Sequence, residues 1–279
     1  MSAARKRATV VEAEAPSYAA PALDKGLEIL EILCRSEKPL SQKQIAQALG
    51  RSVGEIYRML ACLVRRNYVV ESEDSYSVTT KLFELAHANP PTHRLLVEAA
   101  PLMQILSSEL EQSCHLTVYN QGRQVVIAKV DSASGMGFSV RVGTELDVLV
   151  SASGHVLLAF QNPETRALRI EEAVRRRPDH KRARFERVLD AVRACGFASI
   201  ASVQVRGLFA VSFPVLDSQG HAMAAITVPY AERIDQRHRK LIPEVQKALG
   251  VAARTLTERI SGTGAALKVS RSNPHAIQE

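Results

Sequence analysis

Between Ala22 and Thr80 two serine capping boxes stand in succession, Ser41 with Gln44 and Ser52 with Glu55, and Gly50 lies between them. In such a box the serine hydroxyl accepts a hydrogen bond from the backbone N–H three residues on, while the Gln or Glu side chain reaches back, so each box marks a helix start. Ile45, Ala48 and Leu49 give the first of these helices a short apolar face, and Ile56, Met59, Leu60 and Leu63 carry the second to Arg65 and Arg66. A further helix precedes them, with Leu23, Leu27, Leu30 and Cys34 at spacings of three and four, and stops before Pro39. The pattern then changes to strands: Tyr68 to Glu71 and Tyr76 to Val78 favour extended chain, and the polar stretch Ser72 to Ser75 suits a hairpin loop. Three helices followed by a hairpin predict a winged helix-turn-helix.

A helix-turn-helix needs a small residue where its helices meet, a Gly in the tight turn and an apolar residue that packs the second helix back. Ala46, Gly50 and Ile56 stand at those offsets. The packing lets the second helix project its N-terminal side chains into a major groove about 12 Å wide. The positions predicted to be presented there are Arg51, Ser52, Glu55, Tyr57 and Arg58. Arg58 has the chemistry for bidentate pairing with guanine and Glu55 for accepting from cytosine, while Tyr57, Lys43 and Arg65 suit phosphate. Residues 22 to 80 carry eight basic and eight acidic side chains, so clustering has to carry the argument. Lys43, Arg51, Arg58, Arg65 and Arg66 gather around the recognition helix against Glu55 alone, whereas Glu71, Glu73 and Asp74 make the wing acidic and a poor phosphate contact. The expected partner is double-stranded operator DNA. The alternative is a winged-helix ligand sensor that acts through a protein partner, since such domains also serve as docking modules.

At 279 residues with 46% apolar composition, the chain has material for more than one core. No stretch reaches the roughly 18 apolar residues a membrane helix needs; the best, Val148 to Phe160, is interrupted by Ser151, Ser153 and His155. Residues 1 to 16 have a basic start without an apolar stretch behind it, so the cytoplasm is the expected compartment. The formal charge of +7 agrees with a polyanion partner without implying a histone-like coat. Cys34, Cys62, Cys114 and Cys195 stand far apart at no metal-ligand spacing, and are expected to be buried small hydrophobes.

The expected organisation is a flexible basic tail (1–20), the winged helix (21–80), a linker helix and boundary (81–95) at the Asn89, Pro90, Pro91 break, a second domain (96–262) and a flexible tail (263–279). In the second domain a long helix from Thr92 to Glu111 is expected to kink or break at Pro101. Strands follow at His115 to Tyr119, Gln124 to Val130 and Met136 to Val142, then helices from about Ser153, at Pro163 to Val174 and at Arg184 to Ala194, the last closed by Gly196. Strands at Phe197 to Val203, Leu208 to Leu216 and Ala222 to Pro229 precede a final helix with Leu241, Val245, Leu249, Ala252 and Leu256 on one face. The class is α+β, with a mixed or antiparallel sheet flanked by helices.

These residues carry a family resemblance. The run IAQALGRSVGEIYRMLACLVRRNYVV with YSVTTKLFELA resembles the DNA-binding domain of the IclR family of bacterial transcriptional regulators. SVRVGTELDVLVSASGHVLLAF, CGFAS, FPVLDSQG and AAITVP resemble later segments of that family. The resemblance implies a GAF-like effector-binding domain, a homodimer or homotetramer, and repression or activation controlled by a small organic acid. Three positions depart from the usual pattern: Asn67 for a Gly, His155 for a Lys, and Gln204 for a Glu.

Ser151 and Ser153 open an apolar helix, so the N–H groups around Gly154 and His155 form a candidate carboxylate site at the positive end of the helix dipole. The resemblance implies an effector carboxylate at the same segment. The later strands are rich in small residues that leave room on a sheet face or admit a close helix. Where some relatives bind a very small acid through Cys and Ser, this chain has Ala210, Thr227 and Pro229, which favours a larger, partly apolar acid such as an aromatic one. Met136, Phe138 and Leu146 are candidate walls. No catalytic residue, cofactor or metal is expected: SASGH lacks the G-x-S-x-G elbow, and His87, His93, His115 and His180 sit at no useful spacing. Arg175, Arg176, Arg177, Lys181, Arg182 and Arg184, interspersed with acids, read as a solvated surface, and Arg5, Lys6 and Arg7 as an additional DNA arm.

Overall fold

The computed structural model describes residues 20–133, 137–179, 182–203, 205–231 and 240–261. Met136, His180, Lys181, Gln204, the arm at Arg5 to Arg7 and the C-terminal tail lie outside the described residues. The chain divides between Asn89 and Pro90 into two compact units.

In the first unit α1 (Pro21–Arg35) starts on a proline, whose missing N–H costs nothing in a first turn, and buries Ile29 and Leu33. After the two-residue strand β1 (Leu40–Ser41), α2 (Gln42–Ala48) opens on the Ser41–Gln44 capping box and α3 (Val53–Arg65) on the Ser52–Glu55 box. Gly50 turns the chain between them at φ +61°, a left-handed conformation that costs glycine little. Asn67 takes φ +60° after α3, so Asn supplies there the conformation a glycine would. β2 (Val69–Ser72) and β3 (Ser75–Val78) form the wing, with Glu73 and Asp74 both at positive φ in its two-residue turn. β1 joins this sheet in the order β1-β3-β2, a strand too short to announce itself by alternation. Ile29, Leu33, Ile45, Ala46, Ile56, Leu60, Val69 and Tyr76 make the core. α4 (Lys81–Ala88) buries none of its residues fully, leaving Phe83 and Leu85 exposed.

The second unit begins with α5 (Pro90–Leu110), whose first two residues are the double proline. The helix runs without a break through Pro101. A six-stranded sheet follows, formed by β4 (Cys114–Asn120), β5 (Arg123–Val130), β6 (Glu145–Asp147), β7 (Ala198–Ala201), β8 (Leu208–Leu216) and β9 (Ala222–Ala231) in the order β6-β5-β4-β9-β8-β7. All its pairings are antiparallel, which removes the mixed alternative. The helices are α6 (Ala152–Ala159), α7 (Pro163–Arg176), α8 (Arg182–Cys195) and α9 (Ile242–Ser261).

Alternation along β8 and β9 assigns the two sheet faces. Val211, Phe213, Val215, Ala224, Ile226, Val228 and Tyr230 pack in one core with residues of α5 and α9. On the other face Ala198, Ala222 and Ala225 meet a second core built on α6, α7 and α8. The small residues thus serve in part to admit α6, every residue of which is buried. The strand expected at Met136 to Val142 is absent from its described part. Gly143 at φ +84° turns the chain there and donates its N–H to the Val126 carbonyl, so pairing resumes only at β6. The cysteines also depart from expectation: Cys114 is buried, Cys62 and Cys195 are partly buried, and Cys34 is exposed.

Candidate functional site

On the first unit Lys43, Tyr57, Arg58 and Arg65 are exposed, and Tyr57 keeps 60% of its surface. Tyr57, Arg58 and Arg65 belong to α3, whose Ile56 and Leu60 are held in the core, and Lys43 belongs to α2. Three other residues expected to face a groove are engaged within the fold. Arg51 donates to the Glu28 carboxylate at 2.9 Å. The backbone N–H and hydroxyl of Ser52 both donate to Glu55, which also takes the Lys25 ammonium at 3.4 Å. These hydrogen bonds, led by the Ser52 backbone N–H, hold the Glu55 carboxyl down to about 2 from an ordinary 4.5. Arg51, Ser52 and Glu55 therefore tie α3 to α1 and cap α3. In the wing Glu71 accepts from the Tyr76 hydroxyl at 2.6 Å, which with burial pushes that phenol up to about 12, while Glu73 and Asp74 face solvent.

The second unit contains a cavity of about 460 Å³ between the sheet and the 137–150 segment. Its floor is sheet. His115 of β4 pairs in register with Thr227 of β9, which pairs with Ser212 of β8, and the Ser212 and Thr227 hydroxyls lie 2.8 Å apart. Ala210 and Pro229, the next pair on the same face, line the cavity with His115 and Thr227. Phe138, Leu146 and Val150 form one wall, Ile200 and Leu208 another, and the first turn of α6 enters through Ser151, Ala152 and Ser153. Exposed Arg141 also lines it and has no ion pair among the described residues.

Ser151 organises that first turn. Its hydroxyl donates to the Asp147 carbonyl and accepts from the Gly154 N–H and from Gln124 Nε2 at 2.6 Å. His155 N–H goes to the Ser151 carbonyl, which leaves the N–H groups of Ala152 and Ser153 without a backbone acceptor among the described residues. The turn before α6 is fixed by Asp147, whose carboxylate accepts from the Leu149 N–H and from Arg177, both at 2.8 Å.

Of the residues singled out from sequence, the cavity brings together Phe138, Leu146, Ser153, Ala210, Thr227 and Pro229. Gly154 and His155 are not among its lining. A Cβ on Gly154 would lie 2.3 Å from the Val148 backbone, so this glycine permits close packing of α6. His155 Nε2 lies 3.0 Å from the Leu149 carbonyl and its ring meets Phe185 edge-on at 5.3 Å, so it braces the helix from the side. Met136 lies outside the described residues. Sequence spacing dismissed His115 and overlooked Arg141. His115 has 4% of its surface exposed, and burial pushes its imidazole down to about 4. The signal for it is nonlocal: only the β4–β9 register sets it beside Thr227.

Among the described residues no cluster of three or more His, Cys, Asp or Glu side chains is placed to hold a metal ion, and no helix is long and apolar enough to cross a membrane.

Residues 22–73 match the family described as IclR helix-turn-helix domain, and residues 91–258 that described as Bacterial transcriptional regulator IclR C-terminal. The HTH-type transcriptional regulator KdgR of Dickeya chrysanthemi is 27% identical over 235 residues, 80% of this chain and 75% of that protein. The p-hydroxybenzoate hydroxylase transcriptional activator of Acinetobacter baylyi is 24% identical over 216 residues, 73% of this chain and 79% of that protein. Among solved structures, Pseudomonas aeruginosa HmgR aligns with a TM-score of 0.66 at 25% identity, covering 87% of this chain and all of that one at 100%. An IclR homolog of Microbacterium hydrocarbonoxydans complexed with 4-hydroxybenzoate aligns with a TM-score of 0.71, covering 87% and 100%; at 16% identity the likeness is one of fold.

Proposed function

Because the chain belongs to the IclR family of bacterial transcriptional regulators, whose members are DNA-binding regulators and not enzymes, we propose that its hold on operator DNA is set by a small organic acid bound in the second unit. The observation that carries this reading is the cavity, which is of ligand size, apolar along its walls and polar at α6 and at His115 and Thr227. A carboxylate at the first turn of α6 would meet the Ala152 and Ser153 N–H groups and the positive end of the helix dipole, with the Arg141 guanidinium lining the same cavity. The apolar walls and the lack of a hydrogen-bonding side chain at Ala210 and Pro229 favour an aromatic acid. The relative crystallised with 4-hydroxybenzoate and the regulator named for p-hydroxybenzoate hydroxylase support that class.

DNA is read in this proposal by Tyr57 and Arg58 from α3, with Lys43 and Arg65 on phosphates, and the acidic wing contributes little. Two copies pair to span two half-sites, covering apolar side chains that the first unit leaves exposed, Leu23 and Leu27 on α1 and Phe83 on α4. A homodimer or a homotetramer satisfies this geometry, and the cytoplasm is the compartment. Regulation is linkage: an acid that favours one arrangement of the two units shifts the population able to span both half-sites, and one with equal affinity for both arrangements shifts nothing. The test is fluorescence anisotropy of the protein on its own upstream DNA, titrated with 4-hydroxybenzoate and, separately, with glyoxylate. The reading expects the aromatic acid to change the DNA affinity and glyoxylate to leave it alone. A response to glyoxylate only would overturn the aromatic assignment.

A further inference from the structure

The exposed side of α3 is not uniformly basic. At about 100° per residue, Gly54 and Ala61 fall near the middle of the exposed arc, with Arg58 and Arg65 to one side and Val53 and Tyr57 to the other. Val53, at the first position of the helix, keeps 42% of its surface, and Tyr57 stands one turn further along the same border. A valine has no donor for a phosphate and none for the polar edge of a base. Gly54 beside it has no explanation inside the fold. Its φ is not positive, and its own helix backbone apart, nothing lies within 4 Å of the position a Cβ would take. Alanine would suit this helical position better, so the missing side chain is accounted for by a surface from outside that comes close to the bare backbone.

We propose that Val53 is a specificity-determining residue that packs against the C5 methyl group of a thymine, with Gly54 letting the first turn of α3 approach the base edges. The inference rests on the reading of operator DNA through α3 argued above. Recognition helices set their N-terminal residues against base edges in the major groove. There guanine, cytosine and adenine present donors and acceptors, and thymine adds the one apolar group, its methyl. An apolar side chain exposed at the start of such a helix therefore selects thymine. Each half-site then carries a thymine recognised by its methyl group, while Arg58, on the far side of Gly54, supplies the polar contact.

Uracil interference on the protein's own upstream intergenic DNA tests this with the full chain. Fragments with sparse deoxyuridine in place of thymidine, which lacks only the methyl group, are sorted into bound and free, and the replaced positions are read. Wild type should be weakened at a thymine in each half-site. Anisotropy on a duplex with deoxyuridine at one such position should show about fourfold weaker binding, the scale of one buried methyl group. Val53→Ala should bind the two duplexes equally, and Val53→Thr, which keeps a methyl on Cβ, should still prefer thymine. Because Val53 is exposed, neither substitution touches the core of the first unit. Specific binding by the wild type that ignores every thymine methyl, or a thymine preference undiminished in Val53→Ala, would overturn the role of Val53 and leave α3 as the reader. Equal, weak binding of the wild type to upstream and shuffled DNA would overturn both readings.

Discussion

Replacing Gly154 by Ala tests how tightly α6 is held against the segment that leads into it. A Cβ at this position would stand 2.3 Å from the Val148 Cα and carbonyl oxygen and 2.6 Å from its carbonyl carbon. Carbon atoms rest at about 3.5 to 4.0 Å, so more than about 1 Å must be opened, and against backbone, which cannot rotate away as a side chain does. Neither partner has room, because Val148 is fully buried and so is every residue of α6. An alanine in a helix ordinarily gains about 1 kcal/mol over glycine. Forcing a methyl group into a packed core costs about 1 to 3 kcal/mol, and a backbone clash belongs at the upper end. The steric cost wins, and a net loss of about 1 to 2 kcal/mol lowers the melting temperature of a unit this size by roughly 2 to 8 °C. Because Ser151, Ala152 and Ser153 line the cavity, acid binding should weaken with it. Differential scanning calorimetry of the full chain reads the first effect and calorimetric titration the second. Gly26 in α1 has nothing within 4 Å of its Cβ position, so Gly26→Ala is the control and should melt no lower than wild type. A Gly154→Ala protein that melts and binds acid like wild type would refute the close packing of α6 on Val148.

Three further outcomes follow from single side chains. Arg58→Ala should weaken operator binding by about 1 to 3 kcal/mol and relax base preference at one position, measured by anisotropy on a set of singly substituted operators; a uniform loss across all sequences would make Arg58 a phosphate contact. The Glu55 carboxyl, held down to about 2, supports the start of α3 above about pH 4.5, and that support is lost as the pH falls toward 2, so melting curves of wild type and Glu55→Ala should converge over that range. A gap that stays constant with pH would mean that the charge on Glu55 contributes nothing. The His115 imidazole, pushed down to about 4, takes its proton in the unfolded chain near 6.5, so stability is lost as the pH falls from about 6.5 to 4, by roughly 3 kcal/mol at most. Urea unfolding across that window should show a loss in wild type that His115→Phe lacks, and equal slopes would place a protonated or solvated ring at this site.

Local signals were readable where one stretch of chain decides the outcome. The Ser41 and Ser52 boxes, the Gly50 turn and the alternation on β9, with Ile226, Val228 and Tyr230 to one side and Ala225, Thr227 and Pro229 to the other, set helix starts and sheet faces from neighbours in sequence. Errors arose where a tertiary contact overrides local pattern. The apolar residues from Met136 to Val142 look like a strand until Gly143 turns the chain and bonds to Val126. The ion pair of Glu55 with Lys25 of α1 joins two helices and leaves no mark in the local pattern. Gly154 and His155 look like a ligand site because they sit at a helix start, yet Val148 and Phe185 claim them. His115 shows the converse, since its place beside Thr227 depends on a strand pairing that spans more than a hundred residues of chain.

The central claim, a regulator that reads specific DNA through α3, is tested most directly by fluorescence anisotropy at physiological salt on the protein's own upstream intergenic DNA and on a shuffled control of the same composition. The account predicts a preference of about a thousandfold or more for the natural sequence. Equal, weak and steeply salt-dependent binding to both would contradict it and leave only the nonspecific phosphate attraction that Lys43 and Arg65 can supply by charge alone.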